Sequence, residues 1–159
     1  MLNSSRYSGL VLLALLLACL MLSAGCSRGE QGADTEKELL NNLISGYFSS
    51  WSKPDMEAYK GCFHPEASIY FIDGSGNPHY SGLEEFIAGQ QKAHQAARER
   101  LSERPMQTSL IVHGRGAQAT VRWELRQGSA AATGTDYFTF IKTEAGWRIL
   151  SLVYEQDKK

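Results

Sequence analysis

The chain predicts an α+β domain, helices first and a meandering antiparallel sheet after, and three observations predict it. Apolar residues recur at helical spacing through Leu39, Leu40, Leu43, Ile44, Tyr47, Phe48 and Trp51. A later stretch opening at "SGLE" repeats that spacing with Leu83, Phe86 and Ile87. From Met106 onward the period falls to two, in four runs separated by turns that contain glycine: "QTSLIVHG", "AQATVRWELRQ", "GTDYFTFIKTE" and "GWRILSLVYEQ". A length of 159 residues, 43% hydrophobic and 21% charged, suits one globular domain with its own core.

The N-terminus reads as an address rather than as part of that core. Arg6 precedes the apolar run "GLVLLALLLACLML", shorter than the roughly 20 residues a membrane-spanning helix needs, and the small residues of "SAGC" follow. That is the pattern of a secretory signal, residues 1–25. "LSAGC" resembles the lipobox of bacterial lipoproteins, with Leu22 one step further from the cysteine than is usual and Ser23 in its place. The resemblance implies that Cys26 is diacylated and becomes the first residue of the mature chain, holding it to the membrane without a spanning helix. An ordinary cleavage site beside an incidental cysteine is the alternative. Ser27 stands where an Asp would signal inner-membrane retention, which in a Gram-negative cell points to the outer membrane, facing the periplasm. Residues 26–34, polar and with two glycines, form a flexible tether, and the domain occupies 35–157.

Cys62 is then the one cysteine left in the domain, so no internal disulfide forms, and its setting "GCFHP" suits a buried structural thiol better than a nucleophile. Loss of residues 1–25 removes Arg6 and no acid, moving the net charge from −1 to −2. Nothing in that balance points to nucleic acid.

Taken in order, "TEKE" fits a capping box, Thr35 with Glu38, opening the first helix with one broad apolar face. "SKPDMEAYKGCF" restarts as a short helix, Pro54 in its first turn and Gly61 at its end. "ASIYFID" is a strand, and "GSGNPHYSG" a turn-rich loop with room for one short strand. Ser81 and Glu84 cap a helix running to about Arg100 and stopped by Pro105, with Ala93, Ala97 and Leu101 prolonging its buried side. Along its tail Lys92, Arg98, Arg100 and Arg104 interleave with Glu99 and Glu103, the mark of a solvated helical face.

In the sheet, Ala117, Ala119, Val121, Trp123 and Leu125 alternate with polar residues, which gives one buried face. The last two strands carry apolar residues in both phases. Phe138, Phe140, Leu150, Leu152 and Tyr154 oppose Tyr137, Ile141, Trp147, Ile149 and Val153. Helices cover one face, so a second copy of the protein is expected on the other, giving a homodimer through the sheet.

Two helices, a strand, a helix and a long meander, with "FHPEA" at the first helix-to-strand corner and "DYFTFIKTEAGWRI" in the last hairpin, resemble the nuclear transport factor 2-like superfamily, which includes ketosteroid isomerases and SnoaL-type cyclases. The resemblance covers about residues 36–156, with Glu66 where the family's corner usually has Asp. It implies a cone, a curved antiparallel sheet wrapped around the N-terminal helices with a pocket at the open end. Such folds serve enzymes, binders and assembly modules alike.

The same resemblance sets Tyr47 and Asp136 on the oxyanion-hole tyrosine and aspartic acid of ketosteroid isomerase, the enzyme in which an apolar site keeps such an acid neutral. Its base would fall near Phe71, and Asp73 lies two residues on, at the start of the turn-forming "DGSG". Catalytic candidates are therefore Tyr47, Asp136 and Asp73. Two readings of Asp136 stay open: a structural acid bonded to backbone or to a partner such as Arg122, or the polar end of a pocket lined by Tyr47, Tyr70 and Trp123. His64, before Pro65, suits a cap or buried hydrogen bond, with a ligand contact as its functional alternative. His79, His94 and His113 lack the spacing of a zinc site, and no cofactor fingerprint occurs, so no metal and no cofactor are expected. These residues suit non-catalytic binding of a small, largely apolar molecule or a dimeric interaction module, with isomerase or cyclase activity as the alternative.

Overall fold

The computed structural model describes residues 32–158. The signal run, Cys26 and the tether up to residue 31 lie outside the described residues. Residues Lys37–Lys159 form one compact unit.

The first helix, α1, occupies 32–52. Thr35 therefore lies inside it, not at its cap, and residues 32–34, expected as tether, are already helical. Its buried side is Leu40, Ile44, Tyr47, Phe48 and Trp51, while Leu39 is 47% exposed. The stripe is thus narrower than expected, because a helix packed on one surface buries about a third of its circumference. A turn leads to α2, Met56–Gly61, whose N-cap is Asp55 and not the prolyl turn: the Ala58 N–H donates to Asp55 Oδ1 at 3.1 Å.

β1, Phe63–Ile72, begins earlier than expected and includes the "FHPEA" corner. β2, Pro78–Gly82, returns beside it, and α3, Leu83–Ala96, follows. Ser81 belongs to β2 and Gly82 is the N-cap without a side-chain bond, so the second expected capping box does not form either. α3 stops at Ala96. The next strand, β3, runs Leu101–His113 with Pro105 inside it, where a solvated helix tail was expected. The proline is tolerated because β3 is an edge strand and because the register slips between Pro105 and Gln107, leaving Met106 as a bulge. β4, Gly116–Gln127, β5, Ala130–Thr143, and β6, Gly146–Gln156, complete the meander close to where the period of two sets them.

The sheet is six-stranded, curved and open, in the order β2-β1-β6-β5-β4-β3, antiparallel except where β1 runs parallel to β6. α1 lies against its inner face. The Tyr47 ring meets Phe138 of β5 edge-on at 5.2 Å, and Phe63 of β1 at 5.9 Å. The C-terminus of α1 is tied to β3 through Ser52, whose hydroxyl donates to the Glu103 carbonyl at 2.9 Å and accepts from the Glu103 N–H at 2.8 Å.

A bulge explains the mixed phase of the last strands. Between β5 and β6 the partners step from Thr139↔Ser151 to Phe140↔Ile149, so Leu150 is the extra residue and alternation inverts there. Trp147 and Ile149 before it and Leu152 after it are all buried on the inner face. The outer face keeps exposed apolar surface at Tyr137, Tyr80 and Ile111, at 41%, 62% and 66%.

Candidate functional site

A cavity of 150 Å³ opens at one end of the inner face, between α1, α2, α3 and the sheet. Trp51, Tyr59, Phe71, Phe86, Trp123 and Tyr154 give it aromatic walls, and its polar groups include Tyr47, Gln90, Glu103 and Asp136.

Asp136 is at the centre of that set. Strand alternation aims it inward with Phe138 and Phe140, opposite Val121 on β4 and Tyr154 on β6, and it is 3% exposed. Oδ1 accepts the indole N–H of Trp123 at 2.8 Å. Oδ2 is buried and has no hydrogen-bond partner. Burial drives the carboxyl up to about 7, against the stabilising pull of Trp123 and of Tyr47. Tyr47 and Tyr59 are themselves held protonated, chiefly by burial and secondarily, for Tyr47, by the charge of Asp136.

Trp123 reaches Asp136 because nothing stands between them at Gly134, its cross-strand partner. A Cβ at Gly134 would lie 2.1 Å from Trp123 Cζ2 and 2.2 Å from the Glu155 carbonyl. The indole therefore occupies the space a side chain at Gly134 would fill, with its N–H on Asp136.

The second acid is Glu103. On β3 it pairs with Leu125, the inward phase of β4, so its side chain enters the cavity. The residue is half-buried, and burial first and then Asp136 raise its carboxyl well above the ordinary carboxylate range. Sequence reasoning missed this residue by assigning it to a solvated helix. The alternation of Leu101, Glu103 and Pro105 was the available signal. A shallow groove of 410 Å³ on the other side of Glu103 is lined by Arg104 and Arg126, but both are bound to Glu124, at 3.0 and 2.6 Å. Neither neutralises Glu103.

Of the sequence candidates, Tyr47, Trp123 and Asp136 come together and the others do not. Tyr70 is not among the cavity's lining residues and its ring meets that of Tyr80 at a tilt of 53°, 5.3 Å away, while Phe71, one residue along, lines the cavity. His64 Nδ1 accepts the Glu66 N–H at 3.2 Å, a corner cap. Asp73 closes the β1–β2 turn: Oδ1 accepts from the N–H groups of Ser75 at 2.8 Å and Asn77 at 2.9 Å, and Oδ2 contacts His79 Nε2 at 2.8 Å. Those bonds, His79 foremost, hold its carboxyl far below the usual range, so it is ionised and committed. Arg122 is not the partner of Asp136. It lies in the opposite phase and forks onto Asp157, at 3.0 and 2.6 Å. Cys62 is buried, and burial pushes its thiol up to about 11, an inert state. Among the described residues no cluster of three or more His, Cys, Asp or Glu could hold a metal, and no helix is long and apolar enough to cross a membrane.

Comparison with known proteins agrees with this architecture. No curated protein matches the chain. An NTF2-like protein of unknown function from Silicibacter pomeroyi superposes with a TM-score of 0.61 at 22% identity, covering 79% of this chain and 98% of that one. An NTF2-like protein with a cystatin-like fold from Novosphingobium aromaticivorans gives 0.67 at 16% identity, covering 80% and 86%. A Streptomyces avermitilis protein described as "a putative dehydratase from the NTF2-like family" gives 0.67 at 13% identity, covering 80% and 99%. At these identities the likeness establishes the fold alone. These proteins share the NTF2-like fold with the chain, and a family model described as "putative lumazine-binding" spans residues 35–155, so the chain belongs to that family.

Proposed function

We propose that this domain is a non-catalytic binding module that takes one small, largely apolar molecule into the aromatic cavity, with the molecule's polar group set against Asp136. The observation that carries the reading is the bare Oδ2 of a buried carboxyl. An orphaned polar atom of that kind costs about 1–3 kcal/mol, and a ligand that donates a hydrogen bond to it recovers that cost on binding. A cavity of 150 Å³ has room for on the order of one aromatic ring, so the enclosed part of the ligand is small. Because the family is described by lumazine binding, a flat heteroaromatic ring is a reasonable first probe for the ring-lined walls.

The same reading places the protein in the cell envelope, held by lipid on Cys26, with a second copy over the outer sheet face. Native mass spectrometry of the protein taken from its own envelope tests these points together. The expected spectrum shows a bound small molecule that is lost in Asp136→Asn, and the added mass of acyl chains on Cys26. A spectrum of apoprotein identical for both variants removes the binding reading.

The isomerase or cyclase alternative needs a base beside Tyr47 and Asp136. Asp73 is engaged in its turn, whereas Glu103 shares the cavity. Hydrogen–deuterium exchange at the α-carbon of a small ketone, abolished by Glu103→Gln, is the outcome that would replace the binding reading with the enzymatic one.

A further inference from the structure

Which class of molecule fits is decided by the charges around the cavity. Its lining includes two carboxyls, Asp136 from β5 and Glu103 from β3, and no Lys, Arg or His. The remaining titratable groups facing it are the phenols of Tyr47 on α1, Tyr59 on α2 and Tyr154 on β6, which supply no positive charge. The groove on the far side of Glu103 carries Lys53, Arg100, Arg104 and Arg126, none of which lines the cavity; Arg104 and Arg126 are spent on Glu124, and Arg100 bonds the Ser52 carbonyl. Two cavity acids without a counter-ion have two ways to avoid the cost of buried charge: they keep their protons, or they accept a cation from outside.

The walls favour the second course. Aromatic faces carry the negative end of the ring quadrupole, and rings grouped beside carboxylates are a setting that holds ammonium groups. Resting on the binding reading above, we infer that the ligand is a small organic cation, a primary or secondary amine carried as its ammonium, whose N–H groups bond Asp136 Oδ2 and the Glu103 carboxyl while its apolar body lies among Trp51, Phe86 and Trp123. A neutral acceptor such as a ketone oxygen can bond the carboxyls only while they keep their protons, and it draws no attraction from the negative ring faces. An anion would meet two acids and no base.

Binding of an ammonium ionises carboxyls that burial otherwise keeps protonated, so protons leave as the ligand enters. Affinity should therefore rise with pH between about 5.5 and 8 for an amine that stays charged throughout.

The test is isothermal titration calorimetry on the whole lipid-free domain with two matched pairs, benzylamine against benzyl alcohol and isobutylamine against isobutanol, in two buffers of different ionisation enthalpy. The expected result is amine binding at least about 10-fold tighter than the alcohol near pH 8, weakening toward pH 5.5, with proton release at the lower pH. Asp136→Asn and Glu103→Gln should each erase the preference for the amine, Asp136→Asn while still admitting the alcohol. If the alcohols bind as well as the amines, the cationic assignment is overturned and the pocket remains a binding site. If neither set binds, the assignment is overturned as well, and the adduct seen or not seen by native mass spectrometry decides whether the binding reading falls with it.

Discussion

A carboxyl that burial raises to about 7, at Asp136, holds its proton in the folded chain over a range in which the unfolded chain has lost it. The folded state then binds more protons than the unfolded state from about pH 4 to 7, so stability is greatest below that range and declines as pH climbs through it. Glu103, also raised, acts in the same direction. Asp157, lowered to about 2 by Arg122 and Thr133, acts oppositely, but its contribution is lost only as pH falls below about 4 and does not touch this window. The thermal midpoint should drop between about pH 5 and 8, with a linkage on the order of 4 kcal/mol at most, and Asp136→Asn should flatten the curve. An unchanged slope in Asp136→Asn would mean that the carboxyl is hydrated in solution.

Among the elements, β5 depends on Gly134 for more than its hydrogen bonds. Gly134→Ala forces Trp123 off the strand, because the new methyl and the indole would claim the same space. The expected cost is about 1–3 kcal/mol in denaturant unfolding, typical of overpacking, together with a further rise of the Asp136 midpoint once the indole N–H is pulled away. Retention of both wild-type values would show that the indole can tilt without losing its bond. The same strands mark how far sequence reading reaches. β4 was plain, since Ala117 through Leu125 alternate without interruption and one face is buried. β3 was hidden, because "ARERLSER" spaces opposite charges as a solvated helix does, and only tertiary pairing with β4 turns Glu103 inward. The Leu150 bulge was hidden for another reason: an inserted residue carries no side-chain signature, so both phases of β6 looked as if each needed its own cover. For the site, Tyr47 and Asp136 came from the resemblance to ketosteroid isomerase, with Trp123 expected as the wall of the pocket they would tip. Phe71 and Glu103 depended on a strand phase and a strand start that the residues alone left ambiguous.

For the molecule as a whole, the outer sheet face is where a second copy would sit. Ile111, Tyr80 and Tyr137 are exposed on it, and Ile111 and Tyr137 share a shallow depression with Val153. Lipid-free protein at micromolar concentration should sediment as a dimer, and Ile111→Lys with Tyr137→Lys together should convert it to monomer while leaving the Asp136 titration unchanged. Sedimentation of the unaltered protein as a monomer would remove the second copy from the account.

The two margins of the sheet limit how such an assembly can grow. At one margin Pro105 lacks an amide hydrogen and Met106 breaks the ladder; at the other, β2 offers only five residues, beginning with Pro78. A strand from a neighbouring chain finds no long run of free amides and carbonyls on β2, and on β3 it finds one only beyond the bulge, over Gln107–His113, so one margin is open to pairing and the other is not. Copies crowded together would thus be steered away from open-ended fibrils and toward a pairing that closes on itself.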